Sequence, residues 1–126
     1  MTALGDTSVF IAREQGRALN APPPDDIAVS VVTVAELHLG ALLAGDIDRR
    51  ALRLATLRLA EQLEPIPVDE TVAQAWAALV ARLRASGRRM PVNDSWIAAT
   101  ALARDMPVVT QDADYDDVPG LRVVKV

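Results

Sequence analysis

The sequence predicts an α/β protein with a central, mostly parallel sheet. Short β-branched runs ("IAVSVV", "PVVT", "LRVVKV") alternate with longer stretches of helical period, as expected of strands joined by crossover helices. The breaks between them carry turn chemistry: "NAPPPDD" at residues 20–26, Gly45, Gly87 and Pro119-Gly120. Apolar residues make up 51% of the 126, enough to bury a core and too many for a disordered chain. A single domain over residues 1–126 fits that length.

In order, Thr2 to Leu4 is a short strand ending at Gly5-Asp6, and Ser8 to Gln15 a short helix. Ile27 to Val32 is a strand. The helix "TVAELHLGALLAG" follows, with Thr33 as its N-cap and Gly45 as its stop. Arg49 to Leu63 is a further helix. Pro65 to Val68 is an edge-type strand, where prolines are tolerated. Asp69 caps a long helix that stops at Gly87, and Val72, Trp76, Leu79, Val80 and Leu83 form its apolar stripe. After the linker "RRMPV", Asn93 or Asp94 opens the helix "SWIAATALAR", with Trp96 and Ile97 turned inward. "PVVT" and Leu121 to Val126 are the closing strands.

Composition excludes several chemistries. Cysteine is absent, which removes disulfides, thiolate nucleophiles and Cys-ligated zinc. There is no membrane-length apolar run and no basic-then-apolar leader pattern, which fits a cytoplasmic protein. The net charge of −4 argues against a simple polyanion binder, but its distribution matters more than its sum. Without Asp6, Glu36, Asp94 and Asp112 the 17 acids become 13, equal to the 13 basic residues.

Those acids fall in telling places. Asp6 follows the first strand, Glu36 lies in the first turn of the helix after the second, and Asp112 and Asp114 follow "PVVT". In a parallel sheet the carboxyl ends of strands share one edge, where sites form. Asp94 sits at a helix start whose edge this reasoning leaves open. Each acid also has a plain structural reading: Thr33 and Glu36 match a capping box, Asn93-Asp94 a helix N-terminus, and Asp112 to Asp117 a solvated turn. Their joint convergence favours oxygen ligation of a divalent cation.

"DTSVFIA", "VVTVAELHLGAL", "VNDSWIAATALA" and "VVTQDADYDDVPGLRVV", in that order, resemble a PIN-domain protein, and more narrowly a VapC-type ribonuclease toxin of a bacterial toxin–antitoxin pair. The resemblance spans nearly the whole chain. It implies a three-layer α/β/α fold and a Mg²⁺- or Mn²⁺-dependent endoribonuclease. The family's four acids map onto Asp6, Glu36, Asp94 and Asp112, with Asp6 and Asp94 as direct metal ligands. Glu36 and Asp112 then act through water, with Asp114 able to stand in for Asp112. Ser8 (or Thr7) and Asn93 become supporting groups. The resemblance also implies an inhibiting VapB-like antitoxin, an RNA substrate such as tRNA or rRNA, a toxin homodimer and a toxin–antitoxin hetero-oligomer.

Other residues carry weaker expectations. His38, the only histidine, falls on a different helix face from Glu36, so a two-histidine ribonuclease mechanism is excluded. Arg88 and Arg89 in the linker are candidate phosphate contacts, whereas Arg82 and Arg84 read as a solvated helix end. On the third helix Leu52, Leu59 and Leu63 are placed on the core side, with Leu54 and Leu57 outward as a partner surface. A phosphoacceptor receiver domain lacks support, because Asp6 stands alone after the first strand. The segment before Asp6 is only "MTALG", short for a central strand. It leaves open a PIN-fold binding module that does not cut, and the acids alone also admit a DNA-directed nuclease.

Overall fold

A computed structural model describes all 126 residues. Four strands form one sheet: β1 (Thr2–Gly5), β2 (Asp26–Ala28), β3 (Val108–Thr110) and β4 (Val123–Lys125). Their order is β2-β1-β3-β4, and every pairing is parallel. Five helices connect them: α1 (Thr7–Glu14), α2 (Val31–Leu42), α3 (Ile47–Glu61), α4 (Glu70–Ala85) and α5 (Val92–Ala103).

The short first strand is an interior one, paired on both sides. Leu4 and Ala3 are fully buried on opposite faces, as strand alternation requires. Leu4 and Val108 pack with Leu79, Leu83, Ile97 and Ala101 of α4 and α5. Ala3 and Val109 pack with Val9 of α1 and with Val126. A third cluster, Val29, Leu37, Leu57 and Ala60, ties Phe10 and Ile11 of α1 to the α2–α3 pair. The result is the expected three-layer α/β/α arrangement. Gly5 is not a weak point in β1: a Cβ there would stand 3.0 Å from Ile27 Cγ2 and 3.3 Å from a Phe10 ring carbon. Its missing side chain lets both neighbours close over the strand end that leads into Asp6.

Several local expectations change. The second strand ends at Ala28, not Val32, and α2 is capped by Ser30, whose hydroxyl accepts from the Val32 amide at 3.0 Å. Thr33 is therefore inside the helix and buried. β-Branched Val31, Val32 and Thr33 take helical geometry because tertiary packing outweighs their strand preference. Pro65 to Val68 makes only an isolated bridge between Ile66 and Ser30, since prolines on both sides of Ile66 lack an N–H for a ladder. α3 starts at Ile47 behind the Asp46 cap, and α5 starts at Val92 behind Pro91, so Asn93 and Asp94 occupy its first turn instead of capping it.

The face of α3 is also different. Leu57 is buried (3% exposed) against α2, so it is not part of an outward surface. Leu52, Leu59 and Leu63, placed inward by the sequence, are 57%, 41% and 41% exposed, and Leu54 lies at the margin with 36%. The inward stripe is Arg53, Thr56, Leu57 and Ala60: small residues allow close approach, and the Arg53 guanidinium fills the space above Gly40 of α2. The α4 stripe holds as expected, with Val72, Leu79 and Leu83 buried. Trp76 stacks on Trp96 at a centroid distance of 4.4 Å.

Candidate functional site

The carboxyl edge of the sheet gathers the acids. Asp6 ends β1 and is 1% exposed. A carboxylate in such a place must be satisfied by neighbours. Ser8 donates to its Oδ1 at 2.6 Å. The same Ser8 oxygen accepts from the Gln111 amide at 3.0 Å, and Thr110 Oγ1 accepts from the Asp112 amide at 2.8 Å. These hydroxyls join β1 to the segment after β3. Burial pushes the Asp6 carboxyl up to about 6, opposed by hydrogen bonds from Ser8 and Thr110 and aided by the charge of Asp112.

Glu36 projects from the second turn of α2 because Ser30 starts that helix early. Thr7, at the start of α1, donates to Glu36 Oε1 at 2.7 Å and lies 3.2 Å from Thr33 Oγ1. A groove of about 370 Å³ leads away from Glu36 past Asn93 and Trp96. Asn93 is exposed at its rim, and His38 is exposed on another face of α2.

Asp94 answers the question left open by the sequence. α5 must return the chain to the start of β3, so it begins at the same sheet edge where β3 ends. Carboxylate oxygens of Asp94, Asp112 and Asp114 lie within 4.8 Å of one another, close enough for one ion to touch all three. The 3₁₀ turn Ala113–Tyr115 presents Asp114 and turns Tyr115 inward. The Asp94 carboxyl is pushed up to about 7, first by burial, then by its hydrogen bond to Asp114 and by the charges of Asp114 and Asp112. Asp6 stands outside this three-residue group but is linked to it through Asp112.

Tyr115 was missed as a site residue. It is fully buried, and its hydroxyl donates to Asp94 Oδ1 at 3.2 Å. Burial and the negative charges of Asp6, Asp94 and Glu36 push its pKa upward, so it remains a protonated donor. Its position between four aspartates was the only signal, and a solvated turn explained it equally well.

The basic residues split. Arg89 is exposed in the α4–α5 linker, whereas Arg88 donates to main-chain carbonyls of the Asp116–Asp117 segment. The donor set of the pocket is all oxygen and strongly anionic, which fits a hard divalent cation such as Mg²⁺ or Mn²⁺ and no thiophilic metal. Burial first, and the neighbouring acids second, hold the Asp6 and Asp94 carboxyls above their ordinary range, and a bound cation favours the ionised form of both.

Known proteins resemble this chain in sequence and in fold. The PIN domain family model matches residues 3–121. Ribonuclease VapC5 of Mycobacterium tuberculosis is 50% identical over 122 residues, covering 96% of this chain and 90% of that protein. Ribonuclease VapC4 of the same organism is 48% identical, covering 98% and 96%. The crystal structure of VapBC-5, a member of the VapBC family of toxin–antitoxin systems from M. tuberculosis, matches with a TM-score of 0.89 and 45% identity, covering 99% of this chain and 98% of that one. FitAcB from Neisseria gonorrhoeae matches with a TM-score of 0.75 and 27% identity, covering 99% and 97%. With the fold and these relatives in accord, the chain belongs to the PIN-domain family, in its VapC ribonuclease-toxin branch.

Proposed function

We propose that this protein, acting as one domain over its 126 residues, is a Mg²⁺- or Mn²⁺-dependent endoribonuclease and the toxin of a toxin–antitoxin pair. The observation that carries the proposal is the convergence of Asp94, Asp112 and Asp114 within 4.8 Å, beside buried Asp6. Asp6 and Asp94 are assigned as ligands from the β1 and α5 sides. Asp112 and Asp114 are close enough to Asp94 to ligate directly as well as through water. A bound Mg²⁺ or Mn²⁺ supplies Lewis acidity toward the scissile phosphate and a lowered pKa for coordinated water.

The chain's own groups do the rest. Thr7 engages Oε1 of Glu36 and leaves Oε2 to take a proton from an attacking water. Asp112 is the other candidate for that role. Tyr115 holds the Asp94 carboxylate by its hydroxyl proton, and Ser8 does the same for Asp6. Attack by water instead of the ribose 2′-hydroxyl leaves 3′-hydroxyl and 5′-phosphate ends. Arg89 is assigned to RNA phosphate and Asn93 to support at the groove rim. tRNA or rRNA is the expected substrate.

The partner is a VapB-like antitoxin that inhibits cleavage, with homodimers and toxin–antitoxin hetero-oligomers as the working assemblies. The toxin–antitoxin structures that match this chain support that reading. No helix is long and apolar enough to cross a membrane, in keeping with a cytoplasmic site of action.

The test is incubation of antitoxin-free protein with total tRNA and rRNA, with Mg²⁺ or Mn²⁺ and with EDTA, beside Asp94→Asn. Metal-dependent cleavage lost in the variant is the expected result. RNA bound but left intact by the wild type points instead to a non-cutting binding module.

A further inference from the structure

The loop after β3 carries Asp112, Asp114, Asp116 and Asp117, and their mutual repulsion opposes the geometry that brings Asp112 and Asp114 to Asp94. Two cations from separate parts of the fold hold this loop. Arg88, in the α4–α5 linker, donates from Nη2 to the Asp116 carbonyl at 2.9 Å and from Nη1 to the Asp117 carbonyl. Lys125, in β4, donates to the Asp112 carbonyl at 2.6 Å and pairs with the Asp116 carboxylate at 3.1 Å. Asp117 sits at φ +57°, an unfavourable backbone state for a residue with a side chain, and Arg88 fixes its carbonyl there.

The choice of acceptors is informative. Neither cation takes a carboxylate oxygen of Asp112 or Asp114. Both offset the loop's charge through main-chain oxygens and through Asp116, so neither cation occupies the ligand-capable oxygens. Exposed ion pairs alone contribute little to stability. The constraint here comes from carbonyl contacts at Asp112, Asp116 and Asp117, at both ends of the 3₁₀ turn that presents Asp114.

We infer that Arg88 and Lys125 are positioning residues that clamp residues 112–117 between the α4–α5 linker and β4, holding Asp112 and Asp114 against Asp94 for metal binding. The inference rests on the metal-site reading above. It reassigns Arg88 away from RNA phosphate: its two terminal nitrogens are already committed to the loop.

The test uses the full chain, with Arg88→Lys, Arg88→Gln and Lys125→Gln. Three quantities are read: amide exchange of residues 112–118, Mn²⁺ affinity by electron paramagnetic resonance, and kcat and KM on RNA across Mn²⁺ concentrations. Both Arg88 variants lose protection in the loop and bind Mn²⁺ about tenfold more weakly, as loss of an outer-shell partner does. Their kcat recovers at saturating Mn²⁺ and KM for RNA stays unchanged. Lys125→Gln acts in the same direction. Arg88→Lys is the sharp case, since it keeps the charge a phosphate contact needs but loses the two-pronged fork. A raised KM with normal loop protection and normal Mn²⁺ affinity makes Arg88 an RNA contact and overturns the clamp, as does an absence of change in all three readouts. Wild-type protein that binds no Mn²⁺ defeats the metal-site reading and the clamp's purpose with it; a failure confined to the variants' expected losses defeats the clamp alone.

Discussion

Asp6 and Asp94 face one pocket from two layers of the fold, and both carboxyls titrate high, but their surroundings differ. Asp6 is sealed from solvent and surrounded by hydroxyls: Ser8 and Thr110 offset part of the cost of burying it. Asp94 is half-buried and crowded by other acids, with Asp114 and Asp112 raising its pKa further and only Tyr115 opposing them. The Asp6 side is a preformed, hydrogen-bonded wall. The Asp94 side is a like-charge cluster of the kind a divalent cation relieves. The difference means that losing metal should disturb the Asp94 side first, while losing a hydroxyl should disturb the Asp6 side.

Asp94→Asn should have the largest effect on the pocket. It removes one of the three carboxylates that converge within 4.8 Å, so cleavage should fall by more than the roughly 10–100-fold typical of an outer-shell loss. RNA cleavage at saturating Mn²⁺ reads the effect.

Asp6→Asn sharpens the contrast through stability. The folded carboxyl is raised from 3.8 to about 6, so its stability contribution is complete below pH 4 and declines as pH rises through 6. At pH 8 the metal-free wild type should therefore carry a penalty of up to roughly 3 kcal/mol from this group. Asp6→Asn should melt higher than wild type at pH 8 without metal, show no such advantage at pH 4, and cleave poorly at any pH. Thermal melts in EDTA at the two pH values test this.

Thr7→Val has a smaller expected effect. It removes the hydrogen bond that orients Glu36 without altering any ligand, worth about 1–1.5 kcal/mol, or roughly tenfold in kcat. Mn²⁺ affinity should be unchanged. Parallel kcat and Mn²⁺ titrations separate the two quantities.

Much of this pocket was legible in the sequence, and the failures are specific. Asp6 and Asp112 follow strands, and a parallel sheet brings such residues to one edge. Asp94 belongs with them because a crossover helix must run back before β3 begins, a step the sequence permits but local pattern reading omits. The strand preference of Val31 and Val32 points to Thr33 as the α2 cap; the buried Ser30 hydroxyl does the capping, and this frees Glu36 from any capping box. The α3 face failed because leucine count is a poor guide when Arg53, Thr56 and Ala60 make the close contact with α2. Tyr115 stayed hidden because its inward turn depends on the 3₁₀ geometry of one short loop.

Everything proposed for this pocket depends on its carboxylates forming a divalent-cation site. The most direct measurement is anomalous diffraction from crystals of the antitoxin-free protein soaked in Mn²⁺. A divalent-cation site gives a peak in contact with Asp94 and with at least one of Asp112 and Asp114, on the side facing Asp6. A saturating soak that leaves this pocket without a peak, or places its strong peak away from Asp94, would contradict it.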